Sequence, residues 1–152
     1  MSNQTNEGGF FKIAKKDIQD CISIFTEAFS QPPWEQGWND SLSAKRLDFL
    51  LSIPTCQAYC YKLNNELVAF WVGFMEEAME LELTMKEIVV KTKFQGMGIG
   101  KLVMDHIEEQ ARLLGAKKIT LSTLKGSYIE EFYTSVGYSF SEGVSFMNKE
   151  MS

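Results

Sequence analysis

One stretch of this chain, Gln95-Gly96-Met97-Gly98-Ile99-Gly100-Lys101, has the residue types and spacing of an anion-binding corner. It follows a segment of alternating apolar residues from Glu80 to Val90 and opens an amphipathic run. Two physical reasons connect such a corner to phosphate. Glycine lets the backbone come close to a ligand, and the first N–H groups of a helix lack intrahelical partners and sit at its positive end. Two phosphate motifs are excluded by the residues present. A Walker A loop needs Gly at position 95 and Ser or Thr at 102, where this chain has Gln95 and Leu102. The dinucleotide fingerprint G-x-G-x-x-G meets Lys101 when started from Gly96 and Val103 when started from Gly98.

The segment feeding the corner carries three carboxylates able to take a proton, Glu80, Glu82 and Glu87. Leu81, Leu83 and Met85 alternate, and so do Ile88 and Val90, but the two sets are out of phase. One extra residue near Lys86 or Glu87 reconciles them, and one inserted residue is what a β-bulge is. A bulge leaves an N–H unpaired and splays the strand, which makes room for a ligand beside Glu87. The bland alternative is that all three carboxylates are solvated edge charges. His106, the one imidazole, falls two turns into the helix after the corner, which suits a flanking or surface role better than catalysis. Cys21, Cys56 and Cys60 are an odd count and read as reduced thiols. Cys56 and Cys60 are four apart, but a structural zinc site lacks third and fourth ligands, so no metal is expected.

The elements that must position these residues follow in order. The length of 152 residues gives room for one domain, 1–152, with residues 1–9 expected to fray. Phe10–Ala14 suits a first strand. Asp17 suits an N-cap, with Ile18, Cys21, Ile22, Phe25, Ala28 and Phe29 on one helical face behind it. The stretch SQPPWEQGW breaks regular structure, and Asn39 or Asp40 can cap a second helix with Ala44, Leu47, Leu50 and Leu51 as its stripe. Pro54 stops that helix near Ile53. Gln57–Leu63 and Leu67–Met75 read as strands of a hairpin turning at Asn64-Asn65. Beyond the corner, Ile99, Leu102, Val103, Ile107, Ala111 and Leu114 form a helix ended by Gly115. Lys118–Ser122 reads as a strand and Tyr128–Val136 as a short helix. Tyr138–Phe140 and Val144–Asn148 read as a closing hairpin. The order β-α-α-β-β-β-α-β-α-β-β is a mixed α/β fold.

With Val90 five residues upstream, Gln95-Gly96-Met97-Gly98-Ile99-Gly100 fits the pattern Q/R-x-x-G-x-G/A. It resembles the pyrophosphate loop of the GCN5-related N-acetyltransferase (GNAT) superfamily. Downstream, Ile119-Thr120-Leu121-Ser122-Thr123 precedes Phe132-Tyr133-Thr134-Ser135-Val136-Gly137-Tyr138, similar to that family's F-Y-x-x-x-G-F/Y segment. The resemblance implies an α/β fold with a central mixed, mostly antiparallel sheet of about 6–7 strands flanked by about four helices. It also implies that backbone amides of Gln95, Gly96, Met97, Gly98, Ile99, Gly100 and Lys101 bind the pyrophosphate of coenzyme A, with Lys101 assisting. Main-chain groups of Ile88, Val89 and Val90 would pair with the pantetheine arm as an added strand does. An amide at the bulge would polarise the thioester carbonyl.

Transfer to an amine needs a group that removes a proton and is helped by one that protonates the departing thiolate. By its place in the F-Y segment, Tyr133 is the implied acid. Glu87 is the first choice as base, with Glu82 and then Glu80 behind it. Trp34 and Trp38 lie in the segment that shapes the acceptor side in this family, and aromatic walls suit an apolar or cationic group. Pinning a loop to the core is the plainer role for both rings.

The implied activity is acetyl-CoA-dependent acetylation of a primary amine on a small molecule or peptide, by direct attack in a ternary complex. Two alternatives stand beside it: an acetyl-CoA-binding sensor without efficient catalysis, and an aminoglycoside-type acetyltransferase. A net charge of −5 disfavours nucleic acid and anionic membrane as partners. No apolar run reaches the roughly 18 residues of a membrane span, and no signal peptide is apparent, so a cytoplasmic setting is the default. Homodimerisation through the C-terminal strands is a further expectation.

Overall fold

A computed structural model describes residues 7–34 and 36–152. The chain runs β1 (Gly8–Lys12), α1 (Ile18–Phe29), α2 (Asp40–Leu51), β2 (Cys56–Leu63), β3 (Glu66–Glu77), β4 (Leu81–Val90), α3 (Ile99–Leu113), β5 (Lys118–Thr120) and α4 (Tyr128–Ser135). It divides into two compact units, Met1–Ser122 and Thr123–Ser152.

In the first unit the central hairpin is set by its turn. Asn64 and Asn65 both take positive φ, 51° and 66°, with Leu63 opposite Glu66. That is the two-residue turn whose twist matches the strands it joins. The sheet order is β1-β2-β3-β4-β5. The first three pairings are antiparallel, and β5 runs parallel to β4 after the α3 crossover. The fraying expected at 1–9 concerns in part residues outside those described, but Gly8 and Gly9 are already paired in β1 with Leu63 and Lys62.

Helices cover both faces of the sheet. On one face Ile24 and Phe25 of α1 and Leu47 and Leu50 of α2 bury against Phe70, Val72 and Val89. Asn39 caps α2 as expected, its Oδ1 accepting the Leu42 N–H at 2.9 Å. Ser43 is the buried residue of α2 that the apolar stripe missed; its hydroxyl lies 2.7 Å from that of Thr26 on α1. Asp17 departs from its expected role. Its side chain does not cap α1; it accepts the Ala14 N–H at 2.8 Å and pairs with Lys62 Nζ at 2.8 Å. On the other face the α3 seam is Ile99, Val103, Met104, Ile107 and Ala111. Leu102 and Leu114, expected in that seam, lie off it and are exposed.

In the second unit α4 is followed by Gly137 at φ +100°, with the Tyr138 N–H returning to the Tyr133 carbonyl at 3.0 Å. The expected closing hairpin, Tyr138–Phe140 with Val144–Asn148, does not form, and Phe140, Val144, Phe146 and Met147 are exposed. Among the described residues the sheet therefore has five strands, not about 6–7. The glycine turn is present, with Gly143 at φ +82°, but a turn alone does not make a ladder, and an isolated two-stranded hairpin is marginal in water.

Candidate active site

The site begins with one residue too many. Val72 stands opposite Glu87 and Gly73 opposite Met85, so Lys86 is the extra residue of a bulge in β4, where the phase slip put it. The bulge sets Leu83, Met85, Ile88 and Val90 on the α3 face, and Glu82, Thr84, Glu87 and Val89 on the face of α1 and α2. Gly73 makes room for this. A Cβ there would lie 2.8 Å from the Thr84 carbonyl oxygen and 3.1 Å from the Met85 sulfur. Close approach of a second backbone is one reason for glycine inside a strand. Sequence reasoning passed over Gly73; its one signal was a lone glycine in a strand pattern.

Beyond the bulge β4 has lost its outer neighbour. β5 pairs only with Glu82, Leu83 and Thr84, whereas β4 continues to Val90. Among the described residues, no strand lies along the outer edge of β4 past Thr84. At its far end the Val90 carbonyl accepts from Gln95 Nε2 at 3.1 Å.

The corner follows a 3-10 turn at Thr92–Phe94. Gly96 and Gly98 take φ of +77° and +84°, and a Cβ on either would meet nothing within 4 Å. Backbone conformation, not crowding, requires glycine there. Gly98 is the N-cap of α3 and supplies no side-chain cap. The N–H groups of Ile99, Gly100 and Lys101 therefore point out of an uncapped, positive helix end. Ile99 is buried and anchors that turn, while Gln95, Met97 and Lys101 are exposed. An open cradle of backbone amides of this kind fits a pyrophosphate.

Of the three carboxylates of the β4 segment, Glu87 is the one that the fold takes out of solvent. Its Oε1 accepts from Arg46 Nε at 3.0 Å, with the side chains 11% and 31% exposed respectively. Burial pushes its carboxyl above the ordinary range, and the hydrogen bond and charge of Arg46 work against that push. Arg46 was not singled out from sequence, because nothing local marks one cation beside an apolar stripe as a partner of a residue 41 positions away. Glu82 shares the face of Glu87 but sits at the paired end of β4, 4.0 Å from Lys118 Nζ. Glu80 is exposed in the β3–β4 connection.

The remaining candidates make other contacts. Trp34 packs edge-on to Phe29 at 5.0 Å and Trp38 to Phe25 at 4.9 Å, so both rings hold their loop to α1. His106 takes a packing role where a flanking or surface one was expected. It is half-buried, accepts the Trp71 indole N–H at Nδ1 (3.0 Å) and stacks on Phe10 at 3.9 Å. Burial holds its imidazole below the ordinary value, with Glu109 opposing. In the second unit Tyr133 is half-buried on α4, its ring 5.4 Å from Phe132 and 5.8 Å from Tyr138. Burial raises all three thiols above their usual range. Among the described residues, no cluster of three or more His, Cys, Asp or Glu could hold a metal ion, and no helix is long and apolar enough to cross a membrane.

The family model for the acetyltransferase (GNAT) family matches residues 18–138. The chain belongs to the GNAT acetyltransferase family. This GNAT chain is thus an acyltransferase by family, and coenzyme A use agrees with the cradle at Gly96–Lys101. No curated protein matches it in sequence. Among solved structures it is similar to a possible acetyltransferase from Clostridium difficile 630, at TM-score 0.82 and 11% identity, covering 95% of this chain and 99% of that one. The aminoglycoside N-acetyltransferase AAC(6')-Iy in complex with CoA is similar at TM-score 0.78 and 11% identity, covering 99% and 100%. Glucosamine-6-phosphate N-acetyltransferase from Arabidopsis thaliana follows at 0.66 and 18%, covering 96% and 99%. At these identities the likeness is one of fold.

Proposed function

We propose that this GNAT protein transfers an acetyl group from acetyl-CoA to a primary amine of a small molecule or peptide, by direct attack in a ternary complex. One observation carries the reading. A largely buried carboxylate, Glu87, sits at a bulge where β4 has parted from β5, on the strand that leads into the glycine cradle.

Backbone amides from Gln95 to Lys101 would hold the pyrophosphate, and main-chain groups of Ile88, Val89 and Val90 the pantetheine arm. When bound, acetyl-CoA supplies the activated thioester carbonyl. Glu87 takes the proton of the acceptor amine, with Glu82 the second choice. Its Oε2 receives no hydrogen bond from any described residue, which leaves a lone pair for that proton. Tyr133 is the acid for the departing thiolate on the strength of the F-Y segment. Trp34 and Trp38 line the acceptor side in this reading. With all three thiols raised by burial, no cysteine is poised to carry the acetyl group.

A net charge of −5 suits a cationic acceptor, and an aminoglycoside is the first to try. The experiment is free-thiol release from acetyl-CoA across a library of amines and peptides, beside calorimetric titration with acetyl-CoA. Thiol release with at least one amine supports the reading. Folded protein with no heat of binding from micromolar to millimolar acetyl-CoA would sink it.

A further inference from the structure

Glu87 belongs to β4, but the group that answers it comes from α2. Arg46 donates from Nε to Oε1 at 3.0 Å across the interior face of the sheet. This is the pair's one hydrogen bond. No described residue bonds to Oε2 of Glu87 or to the two terminal nitrogens of Arg46.

A carboxylate taken this far out of water without a counter-charge holds its proton and is no base. Arg46 arrives on a rigid element. Leu47 and Leu50 of α2 are fully buried, and Ser43 is tied to Thr26 of α1 at 2.7 Å. Other charge near Glu87 is sparse. Lys86, its neighbour in β4, is exposed; the residue opposite on β3 is Val72. From α1 the core side is Cys21, Ile22, Ile24 and Phe25, whose one titratable group, the Cys21 thiol, is kept protonated by burial.

We propose that Arg46 is the positioning residue for the base: it fixes Glu87 at the bulge and keeps its carboxylate charged, leaving Oε2 to take the proton. The proposal rests on the reading of Glu87 as base. The proton leaves the acceptor ammonium for Oε2, the nitrogen forms its bond to the acyl carbon, and the carbon–sulfur bond breaks with its electron pair on sulfur. The second proton that the nitrogen loses on becoming an amide balances the one the thiolate takes up to leave as the free thiol.

The test is a pH titration of the Glu87 side-chain carboxyl by carbon NMR on 13C-glutamate-labelled protein, assigned with Glu87→Gln. In Arg46→Gln the Glu87 midpoint rises by about one pH unit or more, the size of effect an adjacent opposite charge has. Arg46→Met keeps the apolar stem and replaces Arg46→Gln if the latter does not fold. Arg46→Lys keeps the charge without the planar fork, so its midpoint stays near that of the unsubstituted protein. An unmoved midpoint in Arg46→Gln or Arg46→Met overturns the proposal. The parent reading fails separately: a Glu87→Gln protein with undiminished thiol release removes Glu87 as base, whatever the NMR shows.

Discussion

Gly73 on β3 faces Met85 on β4 across the last regular step before the bulge, and a methyl group at Gly73 would lie 2.8 Å from the Thr84 carbonyl oxygen. Backbone cannot swing aside as a flexible side chain does. Gly73→Ala is therefore expected to push β4 away at the bulge and to destabilise the fold by about 1–3 kcal/mol, as overpacking does. Urea unfolding measures the loss, and thiol release should fall at denaturant-free conditions where the protein is still folded. Full activity in folded Gly73→Ala would show that the close approach does not shape the site.

Gly98 needs its conformation and not its space. An L-residue at φ +84° costs about 1–2 kcal/mol, and nothing stands within 4 Å to add to it. In Gly98→Ala the KM for acetyl-CoA should rise several-fold while kcat changes little, since the disturbance is confined to the cradle. Steady-state kinetics at saturating amine separates the two. A fall in kcat alone would contradict the assignment of this corner to the coenzyme.

His106 makes stability depend on pH in a definite direction. Its ordinary value is 6.5, and in the fold burial lowers it. As pH falls through 6.5 the unfolded chain takes up a proton first, so stability is full above that value and declines towards the folded pKa, then levels. Protonation at Nδ1 also removes the acceptor of the Trp71 indole. His106→Asn, whose amide oxygen can replace that acceptor, should flatten this decline. Urea midpoints from neutral to mildly acid pH decide it; parallel curves for the two proteins would exclude His106 as the source.

Asp17 and Lys62 give the same sign at lower pH. Burial works to raise the Asp17 carboxyl, but the Lys62 hydrogen bond and charge and the Ala14 N–H outweigh it and hold it below 3.8. Its contribution is present above that value and is lost as pH falls through the folded pKa. Asp17→Ala should cost about 1–3 kcal/mol, the range for a buried group left without its partner. Asp17→Asn, which keeps an acceptor for the Ala14 N–H, should cost less. Equal losses by chemical denaturation would mean that the turn bond contributes nothing.

Local signals carried furthest in the sequence. Asn64-Asn65 marked its turn because two adjacent positive φ values favour that residue type, and the phase slip marked the bulge because alternation is a property of the strand alone. What stayed hidden depends on a second element. The partner of Glu87 is visible only once α2 lies against β4, and the need for Gly73 only once Thr84 lies against β3. The same limit works in reverse at the C-terminus. Gly143 announces a turn, but a ladder requires a partner that residues 138–148 do not provide by themselves. Asp17 likewise takes one of its partners, Lys62, from a strand that its own helix does not reveal.

The bulge at Lys86 also separates folding from chemistry in a way no point substitution can. Deleting Lys86 would place Glu87 directly after Met85, still opposite Val72 and still facing Arg46, with every later side chain on its present face. Only the irregularity would go. The chain without Lys86 should thus be at least as well ordered in its sheet and yet inactive. A site that depends on such a bulge would be gained or lost with a single codon, while the substitutions that preserve the chain's length would leave the irregularity in place.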